Sequence, residues 1–325
     1  MIVVYVETVR GVVAEVSLEA VAFARTLAAA GGGIPVDAVV CGPLGDAGPK
    51  ELAEAGVRTV LHADAEEFSV FSGAAHARAV LAAREQTRAV VLMGGGTNRG
   101  NDVMARVATE LDVAMAANVV AFEGLSPFTV TRQVVGGAAL EEVRLGSRPA
   151  VFSVAGHAVE ATPAEVAGAA TITPLAVALE PTDLVVQAVA VEPVDTEAAG
   201  NLKSARVVVG AGRGAGGPEG FGDALELAEL LGGQLGVSRV VTSLGWRPHH
   251  EQVGQTGSRI SPEIYVPCGI SGAIQHWAGC ASSKVILAVN TDADAPMMTK
   301  ATYAVVGDMH EVIPAINEEI RRRRG

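Results

Sequence analysis

The chain has 325 residues, of which 24 are lysine or arginine and 36 are aspartate or glutamate. This excess of 12 negative charges argues against nucleic acid as the main partner, because phosphate binding needs a basic face. No stretch has the roughly 20 consecutive apolar residues of a membrane span, and the sequence starts on strand-like residues rather than a basic signal-peptide region. Three cysteines without Cys-x-x-Cys spacing are typical of reduced thiols, so we expect a cytoplasmic protein.

The first half alternates short β-branched runs with alanine-rich segments. The apolar runs are continuous, which is typical of strands buried on both faces of a parallel sheet. The pattern therefore predicts a doubly wound α/β domain. The predicted strands are residues 2–6, 36–41, 57–61 and 89–93, and the predicted helices are residues 18–30, 51–55 and 74–84.

After Asn118 the pattern changes. Residues 128–134, 139–145 and 150–154 resemble consecutive strands, and Gly136-Gly137 suits a turn between the first two. We therefore expect an antiparallel edge on the first sheet.

A polar segment at residues 192–200 contains proline and glycine without periodicity, which is typical of a linker. The alternation of strands and helices then restarts. It predicts elements at residues 205–209, 223–231, 239–242, 263–266, 273–278, 285–289 and 303–306, followed by a last helix. We predict two Rossmann-like α/β domains, residues 1–195 and residues 196–325.

A glycine-rich loop follows the first predicted strand of the second domain. Gly212, Gly214 and Gly217 fit the G-x-G-x-x-G pattern, in which bare backbone approaches a pyrophosphate at a helix N-terminus. A NAD site also needs an acidic residue about 20 positions later, at the end of the next strand. The residues predicted there, 240–243, include no carboxylate, and Arg213 brings a cation to the loop. The pattern favours phosphate binding over a nicotinamide site, and a glycine-rich turn without a ligand stays open.

Two later loops carry polar residues between glycines. Residues 251–257 offer Gln255 and Thr256 in a long connection, where extended loops are often functional. Residues 268–276 follow a predicted strand and open a helix, with Ser271, Gln275 and His276 near its start. The carboxyl ends of strands form the crevice in which an open α/β sheet binds its ligand, so we expect the site there.

Other patterns do not indicate a reaction centre. The loop at residues 94–101 has Asn101 where a phosphate-binding P-loop needs lysine, so we interpret it as a tight turn. The neighbours His249-His250 lack the partner spacing of a metal site. No nucleophile motif is present, and we predict no catalytic residue and no metal.

These segments resemble the alpha subunit of the electron-transfer flavoprotein family, across essentially all of the second domain. The first domain is similar only in layout and in scattered residues. The motifs in order are Gly212-Arg213-Gly214, Gly236-Val237-Ser238-Arg239, Gln252-Val253-Gly254-Gln255-Thr256-Gly257, Gly269-Ile270-Ser271-Gly272-Ala273-Ile274-Gln275-His276, Val289-Asn290, Ala295-Pro296 and Val306-Gly307-Asp308.

The resemblance implies a noncovalent FAD in the second domain, shared at an interface with a beta subunit. It implies a first domain of nucleotide-hydrolase-like layout that contacts this partner. The pyrophosphate and ribityl chain would be held by Arg213, Ser238, Ser271 and Gln275, and the adenosine end by Asn290 and Asp308. The full set of implied FAD contacts is Arg213, Gly214, Ser238, Arg239, Gln252, Val253, Gly254, Gln255, Thr256, Gly269, Ser271, Gly272, Ala273, Gln275, His276, Asn290 and Asp308.

Three of these residues would tune the redox potential. By resemblance, Thr256 approaches flavin N5, Arg239 lies over the ring system and His276 faces the C2 carbonyl. A flavin that accepts one electron gains negative charge near N1 and the C2 oxygen, and a guanidinium and an imidazole nearby stabilise that charge. The resemblance thus implies a raised potential for the first electron.

The implied function is electron carriage rather than bond-making catalysis. Flavin dehydrogenases of the acyl-CoA type, as in fatty acid β-oxidation, would supply the electrons, and a downstream oxidoreductase or quinone reductase would accept them. Three alternatives stay open: a subunit of an electron-bifurcating flavoprotein that oxidises NADH, a nicotinamide-dependent dehydrogenase that uses the Gly212 loop, and a nucleotide-sensing module without redox activity.

Overall fold

The computed structural model describes residues 1–135, 139–156, 158–189, 202, 205–254 and 256–324. The described residues form two compact units, the first from residues 1–134, 140–156 and 158–189, and the second from residues 135, 139, 202, 205–254 and 256–324. The predicted linker at residues 192–200 lies outside the described residues. None of the described helices is long and apolar enough to cross a membrane.

The first unit contains a nine-stranded sheet with helices on both faces. Its elements are β1 (Ile2–Val6), β2 (Thr8–Val9), β3 (Val12–Val13), α1 (Glu15–Ala30), β4 (Val36–Cys41), α2 (Gly48–Glu54), β5 (Thr59–Ala63), α3 (Gly73–Thr87), β6 (Val91–Gly95), α4 (Asn98–Glu110), β7 (Met115–Glu123), β8 (Thr129–Val134), β9 (Ala139–Arg144), β10 (Ala150–Val154) and β11 (Thr171–Pro174). The strand order is β11-β5-β4-β1-β6-β10-β7-β8-β9.

Strand β1 shows why a continuous apolar run forms this sheet. All five of its residues are buried, and it pairs in parallel with both β4 and β6. Ile2, Val4 and Val6 belong to one apolar cluster, whereas Val3 and Tyr5 belong to another. Because successive side chains point to opposite faces, the strand supplies a core on each side of the sheet.

The antiparallel edge is present, but one predicted member lies elsewhere. Strand β8 pairs antiparallel with β7, and β9 is the outermost strand. Strand β10, however, lies between β6 and β7 and runs parallel to both, so its prediction as a third edge strand was wrong. All five of its residues are buried, which is the pattern of an interior parallel strand. The predicted turn at Gly136-Gly137 lies outside the described residues.

The second unit contains a five-stranded sheet, again with helices. Its elements are β12 (Val207–Ala211), α5 (Gly222–Leu230), β13 (Gln234–Val237), α6 (Arg239–Ser243), β14 (Ile264–Cys268), α7 (Ile274–Cys280), β15 (Val285–Asn290), α8 (Pro296–Lys300), β16 (Tyr303–Val306) and α9 (Met309–Arg324). The order is β13-β12-β14-β15-β16, and every strand pair is parallel. All five carboxyl ends therefore lie at one edge, as in doubly wound sheets that bind ligands there.

One element of the second unit differs from its prediction. Residues 239–242 form part of helix α6, not a strand. The strand is β13, which ends at Val237, and Ser238 follows in extended conformation as the N-cap of α6. The β-branched residues of α6 favour a strand locally, but the sheet position is already filled by β13. The residue after the true strand end is Ser238, so this position still offers no carboxylate for a ribose.

Candidate functional site

The glycine loop after β12 packs backbone to backbone on the loop after β14. The Gly212 amide donates to the Cys268 carbonyl at 3.0 Å, and the Gly214 amide donates to the Gly269 carbonyl at 3.2 Å. A Cβ at Gly214 would lie 2.6 Å from the Gly269 Cα, whereas a Cβ at Gly217 would meet nothing within 4 Å. The third glycine of the dinucleotide pattern normally permits close helix packing, and Gly217 has no such role. The two loops instead form the crevice between the carboxyl ends of the neighbouring strands β12 and β14.

A cavity of about 560 Å³ opens at this edge. Its volume lies within the roughly 300–1,000 Å³ typical of small-molecule sites. Gln255 lies outside the described residues. Every other predicted FAD contact lines the cavity: Arg213, Gly214, Ser238, Arg239, Gln252, Val253, Gly254, Thr256, Gly269, Ser271, Gly272, Ala273, Gln275, His276, Asn290 and Asp308.

One buried polar atom of a cavity-lining residue has no hydrogen-bond partner within the described ranges. It is the hydroxyl oxygen of Ser238. Ser238 is 8% exposed and occupies the N-cap of α6, but its side chain makes no capping bond. A buried polar group without a partner costs about 1–3 kcal/mol, so the Ser238 hydroxyl lowers the stability of the second unit.

The His276 ring is neutral at physiological pH. Burial lowers its pKa to about 4, and an interaction with the Val253 backbone partly offsets this effect. Nε2 of the ring lies 2.8 Å from the Tyr265 hydroxyl. His276 therefore brings no positive charge to the cavity wall. Sequence analysis did not identify Tyr265, because this contact depends on the pairing of strands far apart in the sequence.

Gln252 holds its loop together instead of presenting a free amide to the cavity. It is 3% exposed, its Oε1 accepts a hydrogen bond from the Thr242 hydroxyl at 2.7 Å, and its Nε2 donates to the Thr256 hydroxyl at 3.0 Å. The Val253 amide also donates to the Val237 carbonyl at 2.9 Å, which ties this loop to the end of β13. The Gln252 side chain therefore positions Thr256 at the cavity wall.

Asn290 also braces the site through both ends of its amide. Its Nδ2 donates to the Ile270 carbonyl at 3.1 Å, and its Oδ1 accepts from the Asp292 amide at 3.1 Å. These bonds join the ends of β14 and β15. The predicted contact of Asn290 with an adenosine end would have to be made in addition to this brace.

The start of α9 reaches the glycine loop through a residue that sequence analysis missed. Asp308 Oδ1 accepts a hydrogen bond from the His310 amide at 2.9 Å. The His310 ring then places Nε2 at 3.2 Å from the Gly214 carbonyl. One sequence feature could have identified His310. It lies two residues after an aspartate that follows a strand and caps a helix.

Two arginines supply the positive charge of the cavity wall. Arg213 and Arg239 are exposed, and within the described ranges neither forms an ion pair with a carboxylate. The acidic lining residues Asp292 and Asp308 follow β15 and β16, so they lie towards the other end of the row of strands. One part of the cavity therefore suits an anion such as a pyrophosphate. The same ranges contain no cluster of three or more His, Cys, Asp or Glu that could hold a metal ion.

In the corresponding loops of the first unit, the polar side chains form hydrogen bonds with one another. The Thr97 hydroxyl donates to the Glu7 carboxylate at 2.6 Å and accepts from the Gly100 amide at 2.8 Å. The Ser153 hydroxyl donates to Asn101 Oδ1 at 2.6 Å. Burial raises the pKa of Glu7, and the Thr97 bond acts against that rise. These polar groups satisfy one another and do not require a ligand.

The residues of the second unit fit the FAD that the resemblance implies. Arg213 suits a dianionic pyrophosphate, and Arg239 brings a second cation to the same cavity wall. Thr256, Ser271 and Gln275 line the cavity and are exposed, so their hydrogen-bonding groups are accessible to a flavin nucleotide. Charge and accessible hydrogen-bonding groups thus agree with a dinucleotide cofactor.

Comparison with known proteins also indicates an FAD site. Residues 201–281 match the family model described as "Electron transfer flavoprotein FAD-binding domain", and residues 2–180 match "Electron transfer flavoprotein domain". The first of these matches identifies FAD as the cofactor.

Three similar proteins are each named electron transfer flavoprotein subunit alpha. The protein from Mycobacterium leprae is 35% identical over 99% of this chain and 98% of its own length. The one from Thermoanaerobacterium thermosaccharolyticum is 31% identical over 98% of this chain and 97% of its own. The one from Paracoccus denitrificans is 39% identical over 69% of this chain and 70% of its own. The chain belongs to the electron-transfer flavoprotein alpha-subunit family.

Proposed function

We propose that this chain is the alpha subunit of a cytoplasmic, heterodimeric electron carrier that holds FAD noncovalently at the carboxyl edge of its second sheet. Flavin dehydrogenases of the acyl-CoA type supply the electrons, and a downstream oxidoreductase or quinone reductase accepts them. The observation that carries the proposal is the cavity wall itself, where all the implied FAD contacts that the structure describes come together and where two exposed arginines form no ion pair with a carboxylate of the described residues.

Each part of the cavity has a distinct task. Arg213 and Ser238 bind the pyrophosphate with charge and a hydroxyl, and Ser271 in the loop after β14 and Gln275 in α7 bind the same region. When bound, FAD supplies reversible electron acceptance. Because His276 is neutral, Arg239 provides the positive charge that favours an electron on the cofactor.

A beta subunit explains the exposed side of the cavity. Arg239, Thr256, Ser271 and Gln275 line the cavity and are also exposed to solvent. An electron carrier has to limit water around a charged cofactor, since electrostatic interactions are stronger where water is excluded. A partner that covers these residues would complete the site.

Co-expression with a beta subunit tests the proposal. The purified heterodimer should contain FAD, and acyl-CoA with its dehydrogenase should bleach the flavin absorbance. Arg213→Gln should lower the FAD content, whereas Arg259→Gln, an exposed arginine outside the cavity wall, should not. A heterodimer without flavin would refute the proposal, and reduction by NADH but not by any acyl-CoA dehydrogenase would favour the bifurcating alternative.

A further inference from the structure

Three hydrogen-bonded side chains connect helix α6 with the wall of the cavity. The first is Thr242, which is half-buried and does not line the cavity. Its hydroxyl lies 2.7 Å from Gln252 Oε1, and Gln252 Nε2 lies 3.0 Å from the Thr256 hydroxyl. Thr256 is exposed and lines the cavity. A residue outside the cavity wall is thus connected to the wall through one amide.

The Gln252 amide has two possible orientations, which exchange its oxygen and its nitrogen. The side chain is 3% exposed, and the two threonine hydroxyls are its hydrogen-bond partners among the residues that the structure describes. With its oxygen towards Thr242, the amide donates to Thr256 and leaves the Thr256 proton free for the cavity. With its oxygen towards Thr256, the amide would accept that proton, and the cavity would meet only an acceptor. The orientation of this amide therefore decides which hydrogen bond Thr256 can make.

The two distances identify the orientation. Bonds of the O–H···O type are typically about 2.7–2.8 Å long, whereas N–H···O bonds are typically about 2.9–3.0 Å. The 2.7 Å contact at Thr242 is therefore a bond between two oxygens, and the 3.0 Å contact at Thr256 includes the amide nitrogen. The Thr242 hydroxyl also lies 3.0 Å from the Arg239 carbonyl, but its single proton favours the shorter contact with Gln252. The Thr242 proton thus fixes the amide oxygen on its own side.

We propose that Thr242 is a positioning residue whose hydroxyl holds the buried Gln252 amide in the orientation that leaves the Thr256 hydroxyl free to donate a hydrogen bond into the cofactor cavity. Within the described ranges, the Thr256 hydroxyl accepts from Gln252 and has no acceptor for its own proton. A donor in the cavity wall stabilises the negative charge that a cofactor gains with an electron. This redox consequence rests on the proposed function, whereas the orientation of the amide is a property of the chain itself.

The first test measures the orientation of the amide in the unaltered protein. In the heterodimer labelled with ¹⁵N-glutamine, the Nε2 protons of Gln252 should give stronger nuclear Overhauser effects to the Thr256 side chain than to the Thr242 side chain. Their signals are assigned by their loss in Gln252→Glu, which has no amide. The reverse order of intensities would place the nitrogen at Thr242 and overturn the proposal. This wild-type comparison does not depend on how a Thr242 variant folds.

The second test measures the potential for the first electron in variants of Thr242. Thr242→Val keeps the shape of the side chain but has no proton for Gln252 Oε1, so the amide is no longer held in one orientation. The potential should then fall, with its equilibrium shifted by up to about fivefold, the effect of one hydrogen bond. Thr242→Ser keeps the hydroxyl and should retain the wild-type potential.

Thr109→Val is the matched control. The Thr109 hydroxyl donates to the Ala105 carbonyl at 2.9 Å in helix α4 of the first unit, outside the cavity wall. Its loss removes a hydroxyl that bonds to its own helix, as Thr242 also does, and should leave the potential unchanged.

The outcomes separate this inference from the proposed function. Equal potentials in Thr242→Val and the wild type would refute the role of Thr242, and so would an equal fall in Thr242→Ser or in Thr109→Val. A heterodimer that binds no FAD would refute the proposed function, while the glutamine spectra would still decide the orientation of the amide.

Discussion

Replacing Gly214 by alanine would place a methyl group between the two loops that form the cavity. The new Cβ would lie 2.6 Å from the Gly269 Cα and 3.3 Å from the Gly269 carbonyl oxygen. Carbon atoms in contact prefer about 3.5–4.0 Å, so the two backbones would have to separate by about 1 Å. Both residues line the cavity, so the displacement falls directly on the site.

The expected magnitude follows from overpacking. Inserting a carbon into a tightly packed place costs about 1–3 kcal/mol. If this cost appears in the affinity for FAD, binding weakens about 5- to 150-fold. Gly217→Ala is the matched control in the same loop, because its Cβ would meet nothing within 4 Å.

Titration of the FAD-free heterodimer with FAD, followed by flavin fluorescence, measures both affinities. Thermal unfolding of the same samples shows whether the change is confined to the site. If Gly214→Ala binds FAD as tightly as the wild type, the close contact of the loops does not shape the site and our reasoning is wrong. If Gly217→Ala loses as much affinity as Gly214→Ala, the loss comes from glycine replacement in general.

Three further predictions concern charge, protonation and the bracing amide. Arg239→Lys should lower the first-electron potential in a redox titration, because an ammonium cannot reproduce a planar guanidinium, and an unchanged potential would contradict this role. His76 and His276 each have a pKa of about 4 in the fold, against 6.5 for an exposed histidine, so between these pH values the unfolded chain binds the extra protons. The free energy of unfolding should then fall by about 1.4 kcal/mol per pH unit for each histidine as the pH drops from 6.5 to 4. Urea denaturation that gives the same free energy of unfolding at about pH 7 and at about pH 5 would refute this prediction. Asn290→Ala should lower the free energy of unfolding by about 1–3 kcal/mol because the Ile270 carbonyl loses its donor, and an unaltered denaturation midpoint would show that water replaces it.

The sequence predicted those parts of the fold that depend on local pattern. Strands β1, β4 and β16 have the predicted bounds, because each is a short run of strand-forming residues bounded by turns. The FAD contacts that the resemblance implies lie together at one cavity where the structure describes them, since loops at the carboxyl ends of parallel strands meet at one edge, and their role in binding stays a prediction.

What the sequence did not predict depends on contacts between distant residues. The β-branched run in α6 favours a strand, and only the occupied place of β13 in the sheet shows that it is helical. The Tyr265 ring fits beside β12 only because Gly210 in that strand has no side chain, and the contact of His310 requires the Gly214 carbonyl. Single-sequence patterns carry no information on such pairs, because the partners lie 55 and 96 positions apart by numbering.

The two units show why similar sheets have different capacities for binding. In the first unit, the polar groups at the strand ends bond to one another, as Thr97 does to Glu7 and Ser153 to Asn101. In the second unit, Arg213, Arg239 and Gln275 line the cavity and are exposed, so their polar groups are accessible to a ligand. Since a ligand that binds only the folded chain stabilises it, binding at this edge stabilises the second unit. Binding FAD should therefore raise the unfolding temperature of the second unit more than that of the first.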